Sequence, residues 1–490
     1  MKKLMFTVFL LFLPVVSVFS PVLQAETSKR PNIVFILADD LGWTDTKPYG
    51  SSFYPTPNIE RLAERGVRFT NAYAGSPICS PTRASIMTGL WPARIGITQP
   101  VCHVEEVIVE KRGLVEKEPP RFPYRRAVSL TRLKQEYRTL AESLHDAGYV
   151  TGHFGKWHLG REPYDPLHQG FDVDVPHTFL ASPPGYLAPW KFPPDLSFKA
   201  NEPKEHIEDR MANEAVKFIE TNQDKPFFLN YWAFSVHGPW QAKEELIEQY
   251  QSKVDPSKPH KNPLYAAMIH SLDDAVGRLL DTLDRFNLTD NTIIVFFSDN
   301  GGKITHRDPN EPDITSNVPL RAGKGSVYEG GVREPLIIAW ANHFKADSVN
   351  DELVQSIDFY PTFLDILGLR PEKDQKFDGI SFLPALKGEK LNREIYSHFP
   401  HGTAGGDNNA GSFVRQGDWK LLRFYSKNDD LTDKYELYNL KDDISESHDL
   451  AAEHPDKVVS LKKLLNTFLE ETDAVLPEPN PNYRSNPKTH

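Results

Sequence analysis

Cysteine is scarce. The chain of 490 residues holds two, Cys79 and Cys102, so counting alone leaves room for one disulfide and no larger framework. Long apolar runs are scarcer still. A single stretch, from Leu4 to about Leu23, follows two lysines, is interrupted by Pro14 and Pro21, and leads into Leu23-Gln24-Ala25 ahead of a polar segment. That layout predicts a secretory signal peptide over residues 1–25, cleaved after Ala25, in preference to a retained anchor. No other stretch is long enough to cross a bilayer, so the mature chain is expected in the periplasm or outside the cell, without stable membrane insertion. Basic runs are missing too, and the net charge is −11, which speaks against nucleic acid as a partner. An acidic surface also repels anions at long range, so any anion site has to be locally positive. What the chain does have is a hydrophobic fraction of 39% with eight tryptophans, enough for a large core, and 40 prolines, which imply stiffened loops.

Several apolar runs share one feature: each ends by releasing polar, chemically capable residues. They are "NIVFILADD" (32–40), "VTGHFGKWH" (150–158), "FFLNYWAFSVH" (227–237) and "IIVFFSDN" (293–300). Runs without alternation predict strands buried on both faces, the third one ending at His237. Helical patterns lie between them in "PNIERLAERGV", "TRASIMTG", "RTLAESLHDAGY", "RMANEAVKFIETN" and the periodic run from about Leu264 to Phe286. Strands alternating with helices imply an α/β fold, a large and mostly parallel sheet sandwiched by helices, in residues 26–388. From 389 to 490 the texture changes. "REIYSHF", "GSFVRQGDWKLLRFY" with a turn at Gly417-Asp418, and "KYELYNL" predict a short antiparallel sheet, followed by a helix from about Pro455 to Glu471 and a loose tail. This is read as a smaller C-terminal α+β subdomain. In open α/β sheets ligands bind beyond the carboxyl ends of the strands, so the released residues are expected to converge there.

Asp39, Asp40, Asp299 and Asn300 offer oxygen atoms only, which suits calcium, with magnesium as the second choice, better than zinc. A single Asp pair could merely cap a turn; two pairs, each ending a buried strand, favour a metal. Arg83 follows Cys79 by four residues and lies one helical turn further along the same face. Lys156 and His158 alternate in "FGKWHLG", and Lys324 sits among glycines in "LRAGKGSVYEGG", a backbone held close to something. Three carboxylates, a divalent ion and three basic side chains leave the cluster net positive, a pocket for an anion in an acidic protein.

Taken together these residues carry a resemblance. "SPICSPTRASIMTG" (76–89) fits the C-x-P-x-R signature of type I sulfatases, and "GYVTGHFGKWH" resembles that family's second signature. "ILADDLG", "SVHGPW", "FFSDNGG" and "LRAGKGSVYEGGVREP" are similar to sulfatase blocks in the family's order, from about Pro31 into "ELYNLKDD". The resemblance implies an alkaline-phosphatase-like fold and a cysteine, Cys79, that a maturation enzyme oxidises to formylglycine. A thiol attacking sulfur would leave a stable thiosulfate-type ester, whereas a geminal diol can attack with one hydroxyl and expel sulfate with the other. The disulfide reading recedes, because a bridged sulfur could serve neither role. Thr82, Ala322 and Phe154 depart from the residues usual at their positions, which puts local loop shape in question rather than activity.

By the same resemblance Asp39, Asp40, Asp299, Asn300 and the residue-79 oxygen hold calcium, and Asp299 takes the nucleophile's proton. Arg83, Lys156 and Lys324 stabilise the sulfuryl oxygens. His237, with Lys324 nearby, is the candidate general acid and His158 the candidate base for collapse of the hemiacetal sulfate. The implied enzyme is a sulfuric ester hydrolase acting on a sulfated polysaccharide or glycosaminoglycan fragment. The alternatives are a phosphatase or phosphodiesterase of the same superfamily, a non-catalytic binder of sulfated glycans, and a structural protein stapled by its two cysteines. Segments 99–132 and 177–199 are expected to form the pocket rim; His103, His177 and His306 could contact sugar there, although a surface histidine without a role is the favoured reading of each.

Overall fold

The computed structural model describes residues 30–193, 196, 198–305, 312–402 and 409–484; the leader read over residues 1–25 and His306 lie outside them. In chain order the first strands are β1 (Asn32–Ala38), β2 (Val67–Tyr73), β3 (Tyr124–Arg125), β4 (Val150–Gly155), β5 (Val173–Val175), β6 (Phe227–Trp232) and β7 (Thr292–Ser298). They are followed by β8 (Arg333–Ala339), β9 (Ser348–Asn350), β10 (Val354–Gln355), β11 (Glu394–Phe399), β12 (Gly411–Gln416), β13 (Trp419–Phe424), β14 (Lys434–Asn439) and β15 (Glu478–Pro479). A nine-stranded sheet runs in the order β10-β2-β8-β7-β1-β6-β4-β5, with β9 also on β2. Every pairing in it is parallel except those of β8, which is antiparallel to both β7 and β2.

The four apolar runs lie side by side as β7, β1, β6 and β4, and their residues are buried along nearly their whole length. Side chains alternate across a strand, so β1 feeds two cores. Val34, Ile36 and Ala38 meet the helices Pro57–Glu64, Ile207–Asn222 and Pro263–Arg285. Ile33, Phe35 and Leu37 meet Cys79–Thr88, Leu140–Asp146 and Phe359–Ile366. The register levels the strand exits: Ala38 pairs with Ser298, Leu37 with Trp232, and Trp232 with Gly155. Asp39, Asp299 and Lys156 therefore leave the sheet at one height, directly beyond these pairs.

The second sheet, β11-β12-β13-β14, is antiparallel throughout. Its predicted hairpin turns at Gly417, whose φ of 59° suits glycine. One face packs on the helix Pro455–Glu471 through Val414, Leu421 and Leu437. The other packs on Tyr73, Val327 and Val332 through Phe413 and Leu422, so this sheet backs the segment that carries Lys324. Among the described residues no helix is long and apolar enough to cross a membrane.

Two corrections concern strands. The run ending in His237 stops being a strand at Trp232. The next five residues leave the ladder but stay tied to β1: Ala233 N donates to Leu37 O, Asp39 N to Ser235 O, and Val236 N to Asp39 O. β2 and β8 escaped the sequence reading, because "VRFTNAY" alternates imperfectly and "REPLIIA" opens on two charges and a proline.

Candidate active site

The site is built on four strand exits and one helix. Cys79 is the first residue of the helix Cys79–Thr88, and its Sγ lies 3.6 Å from Asp39 Oδ1. One turn on, the buried guanidinium of Arg83 gives Nε to Asp299 Oδ2 at 2.9 Å and Nη1 to the Lys156 carbonyl at 2.5 Å. Lys156 Nζ reaches Asp39 Oδ2 at 2.6 Å, and Lys324 Nζ reaches Asp40 at 2.7 Å. Asn300 Nδ2 donates to Asp40 Oδ1 at 2.8 Å, and His237 Nε2 stands 3.7 Å from Asp40 Oδ2. The expected metal residues and, apart from His158, the expected catalytic residues thus fall in one connected cluster.

Close packing of backbone makes this convergence achievable. Gly155 has φ 108°, and a Cβ there would sit 2.0 Å from the Trp232 carbonyl, the same oxygen that accepts from Lys156 N at 2.8 Å. Glycine is required for the strand to turn and deliver Lys156. Ala322, where the resemblance expects glycine, adopts φ 60°, a left-handed conformation that strains an alanine without moving Lys324 out of reach of Asp40.

Burial and mutual charge set the protonation states. Burial pushes the Cys79 thiol up to about 12, with Asp39 and Asp299 adding to the effect against Lys156 and Lys324. The sulfur is therefore a thiol, a poor nucleophile as it stands. Burial also raises Asp299, to about 6, helped by Asp39 and opposed by Arg83. Burial works in the same direction on Asp40, but Lys324, His237 and Lys156 hold its carboxyl well below the usual range. His237 is pushed down to about 3 by burial and by Lys324, and His158 is held well below its ordinary value by burial and Lys156. Both imidazoles are neutral in the free protein.

The donor set fits a hard divalent cation. Asp39, Asp40, Asp299 and Asn300 are all buried, and among the described residues Asn300 Oδ1 has no hydrogen-bond partner, an orphaned acceptor in a group of oxygens. Ligand atoms of Asp39, Asp40, Cys79 and His237 lie within 4.8 Å of one another, which adds His237 to the residues around the candidate ion.

Of the other predicted residues, His158 is buried with φ 56°, its carbonyl held by Ser80 Oγ at 2.7 Å. Its ring meets that of His103, Nε2 to Nδ1, at 2.9 Å. His103, which the sequence leaves as a surface histidine or a sugar contact, is thus a neighbour of a candidate catalytic residue; a lone histidine in a proline-rich loop carries no pattern that announces it. His177 is exposed and pairs with Asp174 at 2.7 Å. Cys79 and Cys102 are both free and buried, so no bridge joins them.

Comparison with known proteins places this geometry in a family. The family model described as Sulfatase matches residues 31–369, and that described as N-sulphoglucosamine sulphohydrolase, C-terminal, matches residues 323–474. A sulfatase of Formosa agariphila is 31% identical, over 92% of this chain and 91% of its own length. The N-acetylgalactosamine-6-sulfatase of Mus musculus is 31% identical over 76% of this chain and 70% of its own. The crystal structure of Ps i-CgsB in complex with k-i-k-neocarrahexaose superposes with a TM-score of 0.71 at 27% identity, covering 94% of this chain and 96% of that one. The chain belongs to the sulfatase family, enzymes that hydrolyse sulfate esters, and has that family's alkaline-phosphatase-like fold.

Proposed function

We propose that this chain is an exported sulfatase that removes sulfate esters from a sulfated carbohydrate, with residue 79 converted to formylglycine by a maturation enzyme and calcium held by Asp39, Asp40, Asp299 and Asn300. The observation that carries the reading is the seat of Cys79, whose sulfur lies 3.6 Å from Asp39 Oδ1 on a helix whose next turn supplies Arg83. Calcium held by these residues would supply Lewis-acid polarisation of the sulfate, and a formylglycine hydrate at residue 79 would supply a hydroxyl nucleophile and a second hydroxyl for product release. The chain's own residues do the rest. Lys156 and Lys324 neutralise the sulfuryl oxygens, and Arg83 fixes Asp299. Asp299, raised toward neutrality, receives a proton from the residue-79 oxygen. His237 donates toward the leaving oxygen, since an anionic ester beside it opposes the burial and the Lys324 charge that hold the free imidazole down. His158, buried and held well below its ordinary value, accepts the hydroxyl proton as the hemiacetal sulfate collapses.

Export rests on the layout of residues 1–25. The carbohydrate class is supported by the amino-sugar named for the mouse relative and by the neocarrahexaose bound to the similar structure. The experiment is sulfate release by converted protein from a panel of sulfated oligosaccharides and their phosphate counterparts. Turnover of at least one sulfated sugar, lost with chelator and regained with calcium, is expected. Turnover of phosphate esters alone would contradict the reading.

A further inference from the structure

We propose that His103 is a positioning residue that accepts the Nε2 proton of His158, fixing the His158 ring and leaving its Nδ1 as the basic nitrogen at the reaction centre. The role of that nitrogen rests on the sulfatase reading; the ring pairing does not. The two rings meet at 2.9 Å, His103 Nδ1 to His158 Nε2. Burial and Lys156 push both imidazoles below their ordinary values, so two neutral rings share one proton across this contact. A neutral imidazole prefers to carry its hydrogen on Nε2. The arrangement in which both rings keep that tautomer is the one in which His158 donates and His103 accepts. His158 Nδ1, in a ring 1% exposed, has no hydrogen-bond partner among the described residues and is left bare to take a proton.

The surroundings hold both rings in place. Arg132, itself buried, donates Nη1 to Cys102 O at 3.2 Å and Nη2 to Val104 O at 2.7 Å, gripping the carbonyls on either side of His103. Ser80 Oγ holds the His158 carbonyl at 2.7 Å, and Leu133 N donates to Leu159 O at 2.8 Å, joining the two loops. Such a built contact is what a ring needs to stay in one tautomer and one orientation.

The test compares His103→Leu, which removes the acceptor, with His103→Asn, whose side-chain oxygen falls near the position of Nδ1. In converted protein His103→Leu is expected to lower kcat by about 10- to 100-fold with KM changed less than about twofold, and His103→Asn to recover most of the loss. Crystal structures of the unconverted Cys79 form provide a readout independent of activity: the His158 ring keeps its orientation in the Asn variant and turns in the Leu variant. Wild-type kcat in His103→Leu, or a loss confined to KM, would overturn the inference and leave the sulfatase reading standing. Converted wild-type protein without sulfate release would sink that reading instead, while the ring orientations still decide the pairing.

Discussion

Arg83 and Asp299, separated by 216 residues, form a fully buried pair in which Nε and Nη2 both reach Oδ2, at 2.9 and 2.8 Å. The same guanidinium holds the Lys156 carbonyl and lies 5.1 Å from the centre of the Trp232 ring. One side chain thus ties the helix Cys79–Thr88 to the exits of β7, β4 and β6. Removing one partner of a buried pair leaves the other charge uncompensated, at about 3–5 kcal/mol. Arg83→Ala is therefore expected to destabilise the protein by that amount and abolish sulfate release. Arg83→Lys keeps the charge but not the fork, and should retain more stability than activity. Denaturant midpoints beside turnover rates check both; an Arg83→Ala protein as stable as the wild type would contradict this.

Gly155 is expected to be intolerant of any side chain. With φ 108° and the Trp232 carbonyl 2.0 Å from a built Cβ, Gly155→Ala must move backbone in β4 or β6. The left-handed conformation alone costs about 1–2 kcal/mol, and the clash adds to it. Thermal unfolding of the alanine variant measures the loss, and an unchanged midpoint would show that the strand exits are looser than described.

The second sheet reaches the site through charge. Lys420, fully buried, pairs with Glu329 at 2.8 Å and Glu446 at 3.0 Å, and Glu329 follows Lys324 by five residues. Lys420→Met takes the cation from buried Glu446 and leaves Glu329 to Arg333 and Arg415, and a loss of about 3–5 kcal/mol is expected. Chemical denaturation of this variant beside Lys434→Met, whose lysine is half exposed, checks it; equal losses would rule out a special role for the buried pair.

Acid sensitivity has an identifiable source in His153, which lies inside the sheet with Nδ1 3.0 Å from Asn230 Nδ2. Burial, with Arg83 nearby, pushes its imidazole down to about 3 from 6.5. The folded-state value is depressed, so below about pH 6.5 the unfolded chain takes up a proton that the folded chain refuses. The contribution of this group is therefore lost as pH falls from about 6.5 toward 3, by about 1.4 kcal/mol per unit. His153→Gln should remove that slope from the stability curve between pH 6.5 and 4.5. Parallel curves for the two proteins would be the contrary result.

Legibility in the sequence followed physics. β1, β4, β6 and β7 were readable because burial on both faces forces continuous apolar runs, and their polar ends announced Asp39, Lys156 and Asp299. β8 was hidden because its antiparallel course between β2 and β7 leaves no trace in a pattern of alternating strands and helices. The His103–His158 contact depends on two loops joined through Arg132, Ser80 and the Leu133–Leu159 backbone bond, and no local periodicity encodes it. Cys79 was recognised by its neighbours Pro81 and Arg83, while its burial, which explains why the bare thiol is a poor nucleophile, needed the fold.

The central claim is that residue 79 acts as a carbonyl hydrate and not as sulfur. The most direct measurement is the mass of the residue-79 peptide, set against sulfate release, in protein produced with and without a formylglycine-generating enzyme. Activity rising in proportion to the converted fraction, and none in Cys79→Ala, is the predicted result. Full activity in protein whose residue 79 is entirely unmodified cysteine would contradict the account.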